Sequence, residues 1–315
     1  MTSAIRVIRA GLQTTVQDLG RWGYQSAGVP VAGPMDPFSH RLANLLVGNP
    51  IGAALLEITL IGPDLEFGEP ATIAVCGAEF DLAAGGVAVP TGRSFHITAG
   101  TRLQFGRRRA GARAYLAIAG GVQTPPVLGS RATHLVSAMG GLQGRALVAG
   151  DLVPILSGAS WRALRRAPGL TLPGGGRARL RLLPGAQAEW FEPSMLKTLA
   201  SVSFRVSLRS NRMGYRLEGP PLARSRDEEL ISAPLAFGAV QVPAAGEPIL
   251  LMADRQTAGG YPQIAAVIAA DLPVAGQLAP GDFIEFAFCS RQEAAAALIA
   301  RERPLLRVAD SERRT

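Results

Sequence analysis

The chain is predicted to be mainly β, organised as two β-barrel domains with a few short helices, on three observations. Short apolar runs recur at roughly the eight-to-twelve-residue spacing of all-β sandwiches and barrels, each bounded by Gly or Pro turns. With 315 residues, 48% of them hydrophobic and 18% charged, the chain can enclose more than one core. Pro173-Gly174-Gly175-Gly176 then interrupts the pattern as a linker would. The expected organisation is a first β domain over 1–160, a linker over 161–177, a second β domain over 178–303 ending in a helix, and a tail over 304–315.

Ile5 to Ile8 open as a strand. The first helix is marked by Asp36 as N-cap and Pro37 at the first helical position. Phe38, Leu42, Leu45 and Leu46 share one of its faces, and Gly48-Asn49-Pro50 stops it. Strands are expected at Leu55–Leu60, Asp64–Phe67, Thr72–Cys76, Val87–Val89, Ser94–Ile97, Arg102–Phe105 and Arg113–Ile118, and the run Gly150–Ile155 ends the series. Such regular spacing argues for a closed or nearly closed barrel, because closure removes exposed sheet edges. In the second half, strands are expected at Arg179–Leu183, Phe204–Leu208, Ala239–Val242, Ile249–Ala253, Ile264–Ile268 and Phe283–Phe286, with Pro280-Gly281-Asp282 as a hairpin-type turn. Ser290 and Glu293 form a capping box for a short helix over Ala294–Arg301.

Composition narrows the chemistry. The formal charge of +8 is carried by scattered arginines without interleaved aromatics, which argues against a nucleic-acid groove. No apolar run reaches the roughly 20 residues of a membrane span, and the amino-terminal residues lack the order of a signal peptide, so a cytoplasmic protein is expected. Lys197 is the only lysine, which excludes a GxxxxGK[ST] phosphate loop and a motif-borne Schiff base. His40, His96 and His134 are far apart, and Cys76 and Cys289 offer no metal spacing, so no metal is expected. Cys76 reads as a small buried hydrophobe rather than a nucleophile.

Against this apolar background, three polar, glycine-bearing runs stand out: Thr14 to Tyr24, Ser210 to Tyr215, and Asp254 to Pro262. The first two share Arg-x-Gly-Tyr, as Arg21-Trp22-Gly23-Tyr24 and Arg212-Met213-Gly214-Tyr215. Glycine permits close backbone approach, and a guanidinium fork binds carboxylate or phosphate bidentately, so convergence of the runs on an anionic ligand is expected. Arg21 and Arg212 are the candidate anion binders; a structural salt bridge is the alternative for both, with Asp18, itself a candidate substrate-binding residue, the local partner for Arg21. Asp254, where an apolar strand meets a glycine turn, is the candidate base or water-orienting group, or else an Asx cap. Gln256, Thr257 and Tyr261 follow it, Gly259 and Gly260 can offer N–H groups to an oxyanion, and Asn211 and Tyr24 add polar handles. Asp36 is assigned to capping, Tyr215 to packing or the cleft, and Glu57 to a buried paired carboxylate.

These runs resemble the carboxyltransferase-domain family that includes the C subunit of 5-oxoprolinase, the second subunit of allophanate hydrolase, the kinase-inhibitor antagonists of bacilli and the carboxyltransferase part of urea carboxylase. Gly28-Val29-Pro30, Leu42 to Asn49 and Pro125 to Arg131 add to the likeness, which extends from Gly11 to about Phe286. Ala258, in Thr257-Ala258-Gly259-Gly260, stands where a second threonine is usual, and Pro34 where an alanine is usual. The resemblance implies two cyclophilin-like β-barrel domains with a cleft between them. It also implies a component of an ATP-dependent 5-oxoprolinase that opens 5-oxo-L-proline to L-glutamate. Arg21 and Arg212 would hold anionic groups, Asp254 would position water, and Gln256 with Tyr261 would orient the ring. Implied partners are a companion carboxyltransferase-family subunit and a LamB/YcsF-type subunit. ATP is implied for the complex, with its place on this chain or a partner left open. The alternatives are a carboxyltransferase acting on urea or a related amide, served by biotin on a separate carrier, and a regulatory protein that binds a kinase inhibitor.

Overall fold

A computed structural model of the protein describes residues 2–156, 167, 169–226, 228 and 230–312. Two compact units are present: residues 1–21, 32–172 and 302–315 form the first, and residues 22–31 and 173–301 the second. Much of the span expected as a linker, 161–166 and 168, lies outside the described residues. Residues 174–177 form a tight turn, closed by the Arg177 N–H on the Gly174 carbonyl at 3.1 Å.

The first unit holds β1 (Thr2–Arg9), β2 (Gln13–Gln17), α1 (Pro37–Leu46), β3 (Leu55–Thr59), β4 (Asp64–Phe67), β5 (Ala71–Ala84), β6 (Val87–Val89), β7 (Ser94–Ile97), β8 (Arg102–Ile118) and β9 (Leu152–Leu156). They form one nine-stranded sheet whose main path is β2-β3-β8-β4-β1-β9, with β5 branching from β8 to reach β6 and β7. The runs Arg102–Phe105 and Arg113–Ile118, expected as separate strands, are the two ends of β8. Register shifts between Gly77 and Leu82 of β5 let the long β5 and β8 bend while remaining paired. The core face carries Ile5, Leu56, Ile58, Phe67, Ile73, Leu103, Phe105 and Leu116, all essentially inaccessible. Asp36 caps α1 as expected, its carboxylate accepting from the Ser39 N–H at 2.9 Å.

The second unit holds β10 (Arg177–Pro184), α2 (Pro193–Ser201), β11 (Ser203–Val206), β12 (Gly214–Glu218), β13 (Ala233–Pro234), β14 (Ala239–Gln241), β15 (Ile249–Leu251), β16 (Ala258–Gly259), β17 (Gln263–Val267), α3 (Leu272–Gly276) and β18 (Phe283–Phe288). Seven of these strands close a barrel in the order β10-β17-β14-β15-β12-β11-β18, and β13 with β16 makes a separate ribbon. Alternation places Leu180, Phe204, Tyr215, Leu217, Val240, Leu250, Ile264 and Ile284 inside, with exposures of 1% or less. The turn at Pro280-Gly281-Asp282 exists, with Gly281 at φ +95°. It does not make a hairpin, because β18 pairs with β10 in parallel and with β11 antiparallel.

The final helix, α4 (Arg291–Glu312), is longer than the expected Ala294–Arg301. Its capping box is present, with Ser290 N–H on Glu293 at 2.7 Å and Glu293 N–H on the Ser290 hydroxyl at 3.2 Å. Buried Leu305 and Val308 anchor the turns beyond Arg301 that sequence polarity alone marked as a tail. No described helix is long and apolar enough to cross a membrane.

Candidate functional site

The second unit brings Arg212 and Asp254 into direct contact although they lie 42 residues apart. Register explains why. Gly214 on β12 pairs with Leu251 on β15, so the segments just beyond these strand ends run together. They are joined by the Met252 N–H on the Met213 carbonyl at 2.9 Å and the Asp254 N–H on the Arg212 carbonyl at 2.8 Å. The side chains complete the junction as a fork, Nε to Oδ2 and Nη2 to Oδ1, both at 2.9 Å. With exposures of 5% for Arg212 and 3% for Asp254, the pair is removed from solvent.

Immediately outside this pair is a concavity of about 470 Å³ on the outer face of β12, β15 and β14. Asn211, Gln256, Gly259, Gly260 and Tyr261 line it, five of the residues that sequence reasoning assigned to substrate. The β13–β16 ribbon lies beside it, because the Leu235 N–H donates to the Thr257 carbonyl at 3.1 Å. Arg255 secures the same ribbon through its Nε on the Leu235 carbonyl at 3.0 Å, and burial lowers its pKa. Gln256 and Tyr261 are exposed, Tyr261 at 52%, and their polar ends are available at the rim. Asn211 folds its Oδ1 onto the Met213 N–H at 2.8 Å, an Asx turn that shapes the wall. Gly214 fits closely there: a Cβ would sit 3.0 Å from Ile249 Cγ2 and 3.2 Å from the Leu250 carbonyl, so a larger residue would need the neighbouring strand to give by a few tenths of an ångström.

Asp18 and Arg21 belong to the first unit and converge on a different target, the segment 127–132. Arg21 is fully buried, its Nε donating to the Val127 carbonyl at 2.9 Å and its Nη2 to the Ala132 carbonyl at 3.0 Å. Asp18 accepts from the Gly20 N–H at 2.9 Å, the Ser130 hydroxyl at 2.6 Å and the Arg131 N–H at 2.5 Å. Desolvation lowers the Arg21 pKa and the Asp18 charge opposes that shift. A Cβ at Gly140 would collide with the Ala132 carbonyl and with Arg21 Nη2, so glycine is what lets the chain pass over the guanidinium. His40 braces the strand leading into this motif, its Nε2 lying 3.2 Å from the Gln17 carbonyl. Complete burial lowers its pKa to about 4.

The other candidates are placed as follows. Tyr24 groups with the second unit, precedes a 3-10 turn over Gln25–Ala27 and is 39% exposed. Tyr215 points into the barrel, with its hydroxyl on the Leu278 carbonyl at 3.2 Å. Glu57 is buried and accepts from the Tyr115 hydroxyl at 2.8 Å and the Met35 N–H at 2.9 Å. Cys76 is buried on β5, and desolvation raises its pKa, which suits packing better than nucleophilic attack. Among the described residues no cluster of three or more His, Cys, Asp or Glu side chains could hold a metal ion. Sequence reasoning missed four polar lining residues: Arg209, Arg216, Ser232 and Gln241. The arginines flank the second Arg-x-Gly-Tyr run, and Gln241 is a lone polar residue in an apolar strand, which was the available signal.

Comparison with known proteins agrees with this architecture. The chain is 44% identical to the C subunit of 5-oxoprolinase from Escherichia coli K12 over 290 residues, 92% of this chain and 93% of that one. The crystal structure of TTHA0988 superposes with a TM-score of 0.82 at 38% identity over 90% of this chain, which spans 55% of that longer protein. The Kluyveromyces lactis urea amidolyase structure gives a TM-score of 0.90 at 31% identity, with 97% of this chain matching 20% of that one. The model of the carboxyltransferase domain, subdomains A and B, matches residues 27–288, and the chain belongs to that family.

Proposed function

We propose that this protein is the C subunit of a cytoplasmic, ATP-dependent 5-oxoprolinase, which hydrolyses 5-oxo-L-proline to L-glutamate together with partner subunits. The observation that carries the reading is the 44% identity, over nearly the full length of both chains, to a protein of that name. The second unit supports it chemically, since its concavity sets exposed amide and phenol groups beside a glycine pair.

Opening the lactam requires water to add to the ring carbonyl and the carbon–nitrogen bond to break, with negative charge building on the carbonyl oxygen. In the proposal the main-chain N–H groups at Gly259 and Gly260 face that charge, and Gln256, Tyr261 and Asn211 orient the ring. Thr257 and the Arg212–Asp254 fork hold the 254–261 run in place, so these residues position rather than touch the substrate. Arg21 and Asp18 do the same for residues 127–132, and Tyr24 contributes an exposed phenol. One lysine, Lys197, lies exposed on α2, and no phosphate loop accompanies it, so ATP binding is assigned to the assembly and no step on this chain passes through it. The companion carboxyltransferase-family and LamB/YcsF-type subunits are the partners the proposal requires.

A second reading is favoured by the high TM-score to urea amidolyase: carboxyl transfer to an amide, with biotin brought by a separate carrier. Copurification of the chain with its natural partners, followed by ATPase assay, separates the two. ATP hydrolysis that depends on 5-oxoproline and on this chain supports the first, and carboxylation dependent on biotinylated carrier supports the second.

A further inference from the structure

The floor of the concavity carries a row of three paired residues. Arg216 on β12 and Gln241 on β14 both pair with Ile249 on the intervening β15, so all three project from the outer face of the barrel. Adjacent strands are about 4.8 Å apart, which sets the Arg216 and Gln241 backbones about 10 Å from each other with Ile249 between them. Gln241 is 4% exposed and its Nε2 donates to the Tyr261 carbonyl at 3.2 Å. That bond fixes the amide orientation, because the flipped amide would set two oxygens against each other. Its Oε1 is left as an acceptor on the cavity wall with no partner among the described residues. Arg216 makes no ion pair among the described residues, and Arg209 beside it is paired with Glu247 at 3.3 Å. Among the described residues no Asp or Glu lines the concavity.

We propose that this row reads a small cyclic amide carrying a carboxylate. Gln241 Oε1 accepts the ring N–H, Ile249 and Leu251 pack the ring methylenes, and Arg216 pairs with the carboxylate. This rests on the 5-oxoprolinase reading for the identity of the ligand, while the recognition pattern stands on the geometry. A site built to bond an N–H and a carboxylate discriminates against analogues that lack either, since its own polar groups are then left unpaired. Arg216 and Gln241 are therefore the specificity residues, a role distinct from the bracing by Arg212 and Asp254.

The test measures binding to the full chain, alone and in its assembly, with 5-oxo-L-proline, 2-pyrrolidinone, which lacks the carboxylate, and N-methyl-5-oxoproline, which lacks the ring N–H. Wild-type protein is expected to prefer 5-oxoproline over each analogue by about tenfold or more. Arg216→Gln should erase the preference over 2-pyrrolidinone and keep that over the N-methyl compound; Gln241→Met should do the reverse. Arg216 is exposed, so its variant reports recognition without loss of fold. Gln241→Met keeps the side-chain volume, and its urea midpoint is read beside its binding so that loss of fold is separated from loss of recognition. Both preferences surviving both substitutions, or wild-type protein binding none of the three, overturns the proposal. An assembly active on 5-oxoproline whose KM ignores both substitutions overturns it and leaves the functional reading standing. Binding with the predicted crossed pattern in an assembly without 5-oxoproline-dependent ATPase does the opposite.

Discussion

The two Arg-x-Gly-Tyr runs bury their arginines by different electrostatics. Arg212 meets a carboxylate in a two-bond fork, whereas Arg21 is wrapped by main-chain carbonyls while Asp18, close in sequence, spends its oxygens on N–H and hydroxyl donors. One short signature thus ends in a charge–charge pair in the closed barrel and in charge–dipole contacts in the open sheet. A guanidinium has five donors and can satisfy them with either kind of acceptor, so the motif specifies a buried fork without specifying what fills it.

The contrast orders the expected effects. Asp254→Ala leaves Arg212 buried without its counter-charge and should destabilise the full chain by about 3–5 kcal/mol in urea unfolding; Arg212→Met with Asp254→Leu should recover much of that loss. Failure of the double substitution to recover stability would mean that the pair is not the dominant bond between the two segments. Arg21→Met should cost less, about 2–3 kcal/mol, since it strands neutral carbonyls rather than a charge, and should expose residues 127–132 to limited proteolysis.

Acid distinguishes the two regions further. His40, which braces Gln17, titrates at about 4 in the folded chain. Its ordinary value is near 6.5, so between these the unfolded chain binds the proton that the native state refuses. Stability is therefore full above about pH 6.5, falls as the pH drops towards about 4, and should lose about 3 kcal/mol over that window. His40→Asn should flatten this slope, as read from urea midpoints at a series of pH values. The smallest effect is expected at Asn211→Ala, about 0.5–1 kcal/mol for one exposed Asx turn.

Much of the fold was legible in the sequence, and particular residues show where legibility stopped. Val87–Val89 and Ser94–Ile97 were readable because turn residues bracket a short β-branched run in the first and a polar–apolar alternation in the second. β2 and β12 were not recognised as strands, because their polar residues drew attention as ligands; Thr14, Thr15 and Gln17 are in fact buried on the sheet. The break seen within Arg102–Ile118 was the charged run Arg107-Arg108-Arg109, which projects to solvent without ending the strand. At the candidate site the glycine pair, Gln256 and Tyr261 were legible as a polar cluster within one run. Gln241 and Arg216 were not, because only cross-strand register brings them to Ile249.

The central claim is that the concavity on the second barrel holds the substrate. The most direct check is the KM for 5-oxoproline of the assembled enzyme carrying Gln256→Ala together with Tyr261→Phe, two exposed changes that should leave the unfolding midpoint in place. The KM should rise by about tenfold. An unchanged KM and kcat at full stability would place the substrate elsewhere.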